Sequence, residues 1–226
     1  MDISVIVPLL NERESLKELC DRIDSSLKEA HLSYEIIMVD DGSTDDSWDE
    51  IIKLSKANDA IHGIRFRRNY GKSAALYCGF KKAAGDVVVT MDADLQDFPE
   101  EVPAMYEMIV REKWDIVSGW KQHRQDNALT KNLPSKLYNA TARRITGIKL
   151  HDMNCGLKAY RNEVIKDIEV YGEMHRYIPY LAKNAGYTRI TEKPTRHAKR
   201  KFGKSKFGMN RFVNGFLDLL SLWFLS

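Results

Sequence analysis

Apolar residues in this chain fall into short unbroken runs separated by stretches of helical periodicity. The runs cover residues 3–7, 35–39, 61–66, 87–91 and 116–119, spaced roughly every 25 to 30 residues. Between them, residues 14–30, 47–57, 73–83 and 100–112 carry apolar positions at helical spacing. Strand and helix in regular alternation predict repeated βαβ units around a mostly parallel sheet. In such sheets ligands collect beyond the carboxyl ends of the strands. The second half is less regular: helical patterns over 134–146 and 176–185, and a short strand over 188–193.

The pattern changes near the C-terminus. Phe212, Phe216, Leu219, Leu220 and Trp223 share one face of an expected helix, and after Phe216 the sequence is apolar nearly all round. About 20 apolar residues are needed to cross a bilayer. The segment reads either as an amphipathic helix packed on the domain or as the opening of a membrane segment. We therefore expect one α/β catalytic domain over 1–208 and an amphipathic or juxtamembrane helix over 209–226.

A chain of 226 residues with 43% hydrophobic content suits a single large domain. The net charge of only +3 argues against nucleic acid as a partner. The charge is uneven, however: from Arg189 to Arg211 there are nine Lys or Arg residues against the single Glu192. Cys20, Cys78 and Cys155 form no C-x-x-C pair and are expected to be reduced packing thiols. No basic region followed by an apolar core marks a secretory signal, so cytoplasmic chemistry is expected. Asn139-Ala140-Thr141, a glycosylation tripeptide, is then a chance match on a helix.

Chemistry gathers at the strand ends. Asp92, Asp94 and Gln96 stand at alternate positions after the fourth run. On an extended chain alternate side chains share a face, and hard oxygen donors so placed suit Mg²⁺ or Mn²⁺ bridging a diphosphate. Asp97, with Pro99 and Glu100, reads as the cap of the next helix. Asp40-Asp41-Gly42-Ser43-Thr44-Asp45 reads first as a turn with Ser43 or Asp45 as N-cap, and its paired carboxylates also suit ribose hydroxyls or a base N–H. Gly71-Lys72-Ser73 and Gly203-Lys204-Ser205 resemble the end of a phosphate-binding loop. Phe66 and Ala198 stand where that loop needs its first glycine, and no G-x-G-x-x-G follows the first strand. Phosphate charge must therefore be met by metal and basic side chains.

Val7-Pro8, Asn11-Glu12, Val39 to Asp45, Arg68-Asn69-Tyr70-Gly71-Lys72 and Met91 to Glu100 occur in that order. Together they resemble family 2 glycosyltransferases of GT-A fold, in particular the dolichol-phosphate mannosyltransferase-like branch that glycosylates polyprenyl phosphates. Asn154 to Arg161 and Arg196 to Gly208 are similar to that branch's later motifs, so the resemblance covers nearly the whole chain. It implies a Rossmann-like sheet, with Pro8, Asn11, Glu12, Asp40, Asp41, Lys72 and Ala93 at the donor. It also implies Asp92, Asp94 and Gln96 at the metal and diphosphate. Leu10 stands where the family often has an aromatic residue, which leaves the base preference open. Lys121 replaces a common arginine and would meet phosphate without a planar bidentate contact.

The reaction so implied is inverting transfer of a sugar from a UDP- or GDP-sugar to a polyprenyl phosphate. The place is the cytoplasmic face of the cell membrane, a bacterial inner membrane, with a homo-oligomer as a further expected partner. Asp92 and Asp94 would act through the metal, stabilising charge on the departing diphosphate. A phosphate acceptor is already ionised at neutral pH and needs no base. The alternative acceptor, a saccharide hydroxyl, needs one, and His151-Asp152 supplies Asp152 as base, as cap or as positioning group. Arg176, Arg196, Arg200, Lys201, Lys204 and Lys206 are expected at the acceptor phosphate or the anionic leaflet. Arg176 is equally readable as an ion pair with Glu173. Phe202 and Phe207 are expected to dip into the interface.

Overall fold

A computed structural model describes residues 1–122, 141, 143, 144 and 146–202. The expected helix over 134–146 lies largely, and the C-terminal helix over 209–226 wholly, outside the described residues. So do Lys204, Lys206 and Phe207.

The first half alternates as expected: β1 (Ile3–Leu9), α1 (Arg13–Glu29), β2 (Tyr34–Asp40), α2 (Ser47–Ala57), β3 (Ile61–Arg65), α3 (Lys72–Lys82) and β4 (Val87–Thr90). A 3₁₀ turn, Pro99–Glu101, leads into α4 (Val102–Val110), then β5 (Ile116–Trp120), β6 (Lys158–Arg161) and α5 (Asn162–Asp167). A second 3₁₀ turn, Met174–Tyr177, leads into α6 (Ile178–Asn184), and β7 (Ile190–Pro194) ends the described order.

The sheet has seven strands in the order β3-β2-β1-β4-β6-β5-β7. Pairings among β1 to β4 and between β5 and β7 are parallel, whereas β6 runs antiparallel to both neighbours. This is the GT-A arrangement. The central strands β1, β2, β4 and β5 are mainly apolar because both their faces are covered, whereas the edge strands β3 and β7 carry polar, partly exposed residues. Val5 and Val7 of β1 meet α1 and α4 through Leu16, Leu19, Met105 and Ile109. Ile6, pointing the other way, meets α3, α5 and α6 through Leu76, Phe80, Ile165 and Ile178.

Strand β6 was not foreseen. Its sequence, Lys-Ala-Tyr-Arg, carries polar residues at both ends, yet Lys158, Ala159 and Tyr160 are all buried. The fourth strand also stops earlier than expected, at Thr90, so Asp92 to Gln96 lie on a turn with Leu95 at φ 59°. The alternate-position argument for a shared face therefore does not hold, since it requires extended backbone.

Candidate active site

The loops leaving β1, β2 and β3 are tied into one platform. Asn11, in a left-handed conformation (φ 51°), accepts from the Thr44 N–H at 2.8 Å through Oδ1. Its own N–H donates to Ser43 Oγ at 2.8 Å, and the Glu12 N–H donates to Ser47 Oγ at 2.9 Å. Fully buried Asp40 accepts from the Ser43 N–H at 2.8 Å, closing the turn. Asp45 accepts from the Ser47 N–H at 3.0 Å at the start of α2. Asp41 reaches sideways and accepts from the N–H groups of Tyr70 (2.7 Å) and Gly71 (2.9 Å), fixing the loop that opens α3. Burial raises the Asp41 pKa against these hydrogen bonds. Gly42, at φ 77°, has its Cα against Arg68 and Asn69, where a Cβ would sit 2.7 Å from the Asn69 nitrogen. The acidic hexapeptide is thus first a structural clasp.

Beyond β4, two carboxylates each face a cation from a distant part of the chain. Asp92 Oδ1 is ion-paired with Lys72 Nζ at the first turn of α3. Burial alone would raise its pKa, but the Lys72 ammonium outweighs it and holds the carboxyl well below the ordinary range. Behind Asp92 stands Gly156, where any Cβ would overlap the Asp92 carboxylate. The Gly156 carbonyl is held by the Thr90 hydroxyl at 2.8 Å. Asp94 Oδ2 accepts from Arg200 at 2.6 Å, and the same guanidinium reaches Glu12 Oε1 at 3.1 Å. Burial, then the Asp92 charge, pushes the Asp94 pKa up to about 6 despite Arg200.

Arg200 arrives here because residues 195–198 lie alongside the turn. The Thr195 N–H donates to the Trp120 carbonyl and the Ala198 N–H to the Gln96 carbonyl, each at 2.9 Å. The Gln96 side chain belongs to this seam: its Nε2 donates to the Ala198 carbonyl at 3.2 Å. This bond fixes the Gln96 amide through its nitrogen, at the edge of the turn that carries Asp92 and Asp94. Among the described residues no group of three His, Cys, Asp or Glu side chains is gathered to hold a metal. Asp97 does not cap the next helix; it is buried against Lys121 at 2.8 Å. Asp97 outweighs the effect of burial and raises the Lys121 pKa. Lys121 is thus held by an internal ion pair with Asp97.

The far wall is built by α3, β6 and the 3₁₀ turn before α6. His175 contacts Ser73 with both its ring and its backbone. Arg176, buried, pairs with Glu173 Oε2 at 3.0 Å, the structural reading of that residue. The buried Lys158 ammonium donates to the carbonyls of Met153 (3.1 Å) and Cys155. Asp152 is buried too, and accepts from the Asn154 N–H at 3.2 Å within the same turn. His151 stacks on Trp120 with ring centroids 4.2 Å apart and pairs with Glu192. Along the basic stretch, Arg196 is engaged with Glu101 at 2.9 Å and Lys201 with Glu18 at 2.6 Å. Phe202 packs on the core cluster.

Residues 4–169 match the family description "Glycosyl transferase family 2", well over half of the chain. The chain belongs to this family.

This family 2 glycosyltransferase is 37% identical to dodecaprenyl-phosphate galacturonate synthase of Rhizobium johnstonii over 99% of its length and 67% of the relative's. It is 39% identical to undecaprenyl-phosphate 4-deoxy-4-formamido-L-arabinose transferase of Salmonella choleraesuis, over 97% of the chain and 66% of that protein. The chain thus spans about two thirds of the length of the curated relatives it matches. Its fold is that of glucosyl-3-phosphoglycerate synthase from Mycobacterium tuberculosis, crystallised with Mn²⁺, UDP-glucose and phosphoglyceric acid. The TM-score is 0.72 at 23% identity, covering 98% of this chain and 79% of that one.

Motif reading singles out none of Thr90, Gly156, Lys158 and Ser73 of the glycosyltransferase as site residues, and places His175 only within the stretch 173–176 expected near the acceptor. In the Gly-Lys-Ser string at 71–73 the resemblance gives a role to Lys72 and none to Ser73. That a Ser at the start of a helix would meet a His 102 residues later has no local signal.

Proposed function

We propose that this chain transfers a sugar from a nucleotide-sugar donor to a polyprenyl phosphate at the cytoplasmic membrane face. The observation that carries the reading is the pair of site carboxylates, Asp92 and Asp94, each balanced by a cation, Lys72 and Arg200, beyond the carboxyl ends of the parallel strands. Both curated relatives named above are enzymes of lipid-linked phosphates by their names. Among the described residues no helix is long and apolar enough to cross a membrane.

The donor lies over the platform made by Pro8, Asn11, Glu12, Asp40 and Asp41, with Ala93 in the floor of the turn. Its diphosphate faces Lys72, Asp92 and Asp94. The carboxylates fit a divalent cation, Mg²⁺ or Mn²⁺: burial and the neighbouring Asp92 charge disfavour ionisation of Asp94. When bound, such an ion supplies Lewis-acid stabilisation of the leaving diphosphate. Lys72 neutralises part of the same charge. Arg200, on releasing Asp94, is placed to meet anionic phosphate, while Lys204 follows it in sequence.

The acceptor phosphate attacks the anomeric carbon directly, its charge removing the need for a base. Asp152 is a positioning group in this reading, and Lys121 keeps Asp97 and the turn in place. The basic stretch and the apolar end of the sequence suit an anionic leaflet.

The test is a panel of UDP-, GDP- and dTDP-sugars offered with undecaprenyl phosphate and Mn²⁺ or Mg²⁺. A glycolipid from at least one donor is expected. Glycosylation only of saccharide hydroxyls, with lipid phosphate left unused, would overturn the acceptor assignment.

A further inference from the structure

The Ser73–His175 contact determines where the imidazole keeps its proton. Ser73, buried at the second position of α3, accepts the His175 backbone N–H through Oγ at 3.1 Å. The same oxygen lies 3.0 Å from His175 Nδ1. A hydroxyl has one proton to give. Were Nδ1 also a donor, the Ser73 proton would have no acceptor among its contacts in a buried position, at the cost of a lost hydrogen bond. The hydroxyl therefore donates to Nδ1, and the neutral ring carries its proton on Nε2.

Surroundings keep that ring neutral. The side chain is only 10% exposed, and Lys72 of α3, Arg176 on its own turn and Lys158 of β6 all oppose a further positive charge. The positive end of the α3 dipole acts in the same sense. Burial and these cations outweigh the attraction of Asp92 and hold the pKa well below the ordinary histidine value. Glu173, the other nearby carboxylate, stands 4.0 Å from Nδ1, beyond hydrogen-bond reach, and is engaged by Arg176.

Among the described residues Nε2 has no hydrogen-bond or ion-pair partner. A neutral N–H donor, fixed in tautomer and set among cations beside a phosphate site, matches an anionic oxygen. We propose that His175 donates a hydrogen bond from Nε2 to a phosphate oxygen in the active site, with Ser73 holding the ring in the required tautomer. This rests on the glycosyltransferase reading above for the source of the phosphate, either the donor diphosphate or the acceptor lipid phosphate. Such a donor stabilises charge without delivering a full proton, the arrangement that suits a site already holding Lys72.

Long-range ¹H–¹⁵N correlation spectra of the full chain with labelled histidine read the tautomer directly, and His175→Gln identifies the resonances. At pH 7 the expected pattern is a neutral ring protonated on Nε2, and Ser73→Ala should relax that preference. Titration with UDP and, separately, with farnesyl phosphate should move the Nε2 signal with one of them, which names the phosphate. His175→Phe should lower kcat/KM at least about tenfold, and His175→Gln, whose amide can reach the Nε2 position, should recover part of the loss. The loss should appear in the KM of the substrate whose phosphate moved Nε2. An imidazolium, an Nδ1-protonated ring, or an Nε2 signal moved by neither ligand overturns the proposal. These spectra are independent of turnover, so failure to form glycolipid would count against the functional reading and not against this one.

Discussion

The Asp92 carboxylate lies where a side chain on Gly156 would have to be. Thr90, at the end of β4, holds the Gly156 carbonyl at 2.8 Å, so the turn after β4 and the loop before β6 are pressed together. Asp92 is positioned from behind by backbone and from the front by Lys72.

Gly156→Ala must therefore move Asp92. Displacement of a positioned group by about 1 Å typically costs on the order of 100-fold in rate. Steady-state kinetics should show that loss in kcat, with the melting temperature falling by only a few degrees, about 1 kcal/mol for a domain of this size. Wild-type kcat in this variant would mean that Asp92 tolerates displacement.

Asp94→Ala should abolish transfer, with circular dichroism and the cooperative melt retained, because the residue sits on a turn outside both core clusters. Turnover undiminished at saturating Mn²⁺ would remove Asp94 from the cation site.

Arg200 and a divalent cation are expected to compete for Asp94. In Arg200→Met the carboxylates of Glu12 and Asp94, each with side chains 10% exposed, lose their shared partner. Removing one member of such a part-buried pair should destabilise the fold, by less than the roughly 3 to 5 kcal/mol that a fully buried pair costs. Mn²⁺ should then raise the melting temperature of the variant by more than that of the wild type. Equal shifts in a thermal-shift assay would show that Arg200 and the ion do not share the site.

Stability should fall on acidification, and His175 should contribute to the slope. Burial, with Lys72 and Arg176, depresses its folded pKa below 6.5. The unfolded chain therefore binds the proton first: the stabilisation is complete above about pH 6.5 and declines as pH drops toward the folded value. One such group contributes at most about 1.4 kcal/mol per pH unit. Urea unfolding between pH 5 and 8 should give a shallower dependence for His175→Gln. A slope unchanged by that substitution would assign the acid sensitivity to other groups.

Thiol reactivity should single out one cysteine. Burial pushes Cys20 and Cys155 up to about 12, while Cys78 is only half-buried. An aromatic disulfide reagent at pH 8 should modify about one thiol in the native protein and three in urea. Rapid reaction of two or more native thiols would contradict the packing of α1 or of the loop before β6.

Much of the fold was legible because β1, β2, β4 and β5 are mainly apolar runs buried on both faces, which stand out from the periodic helices between them. β6 was not, because Lys158 and Arg161 read as surface residues. The Lys158 charge is buried at the cost of its hydration and is compensated by the carbonyls of Met153 and Cys155. The location of the candidate site was legible too, since the acidic and Asn-Glu motifs follow strand ends, where ligands collect in such sheets. Their mutual arrangement was not. Asp92, Asp94 and Gln96 read as alternate positions on extended chain, whereas the chain turns there, ties the Gln96 amide nitrogen to Ala198 and gives each carboxylate its own cation.

By itself the sequence determined the alternation of strand and helix, the end of the sheet where chemistry gathers, and the residue types available there. These follow from periodicity and backbone chemistry, which act over a few residues. Tertiary structure alone decided that Lys72 meets Asp92 across 20 residues, that Arg200 meets Asp94 across 106, and that Ser73 sets the proton of His175 across 102. Electrostatics and hydrogen bonding act over a few ångströms of space, and only the folded sheet brings those atoms within that range.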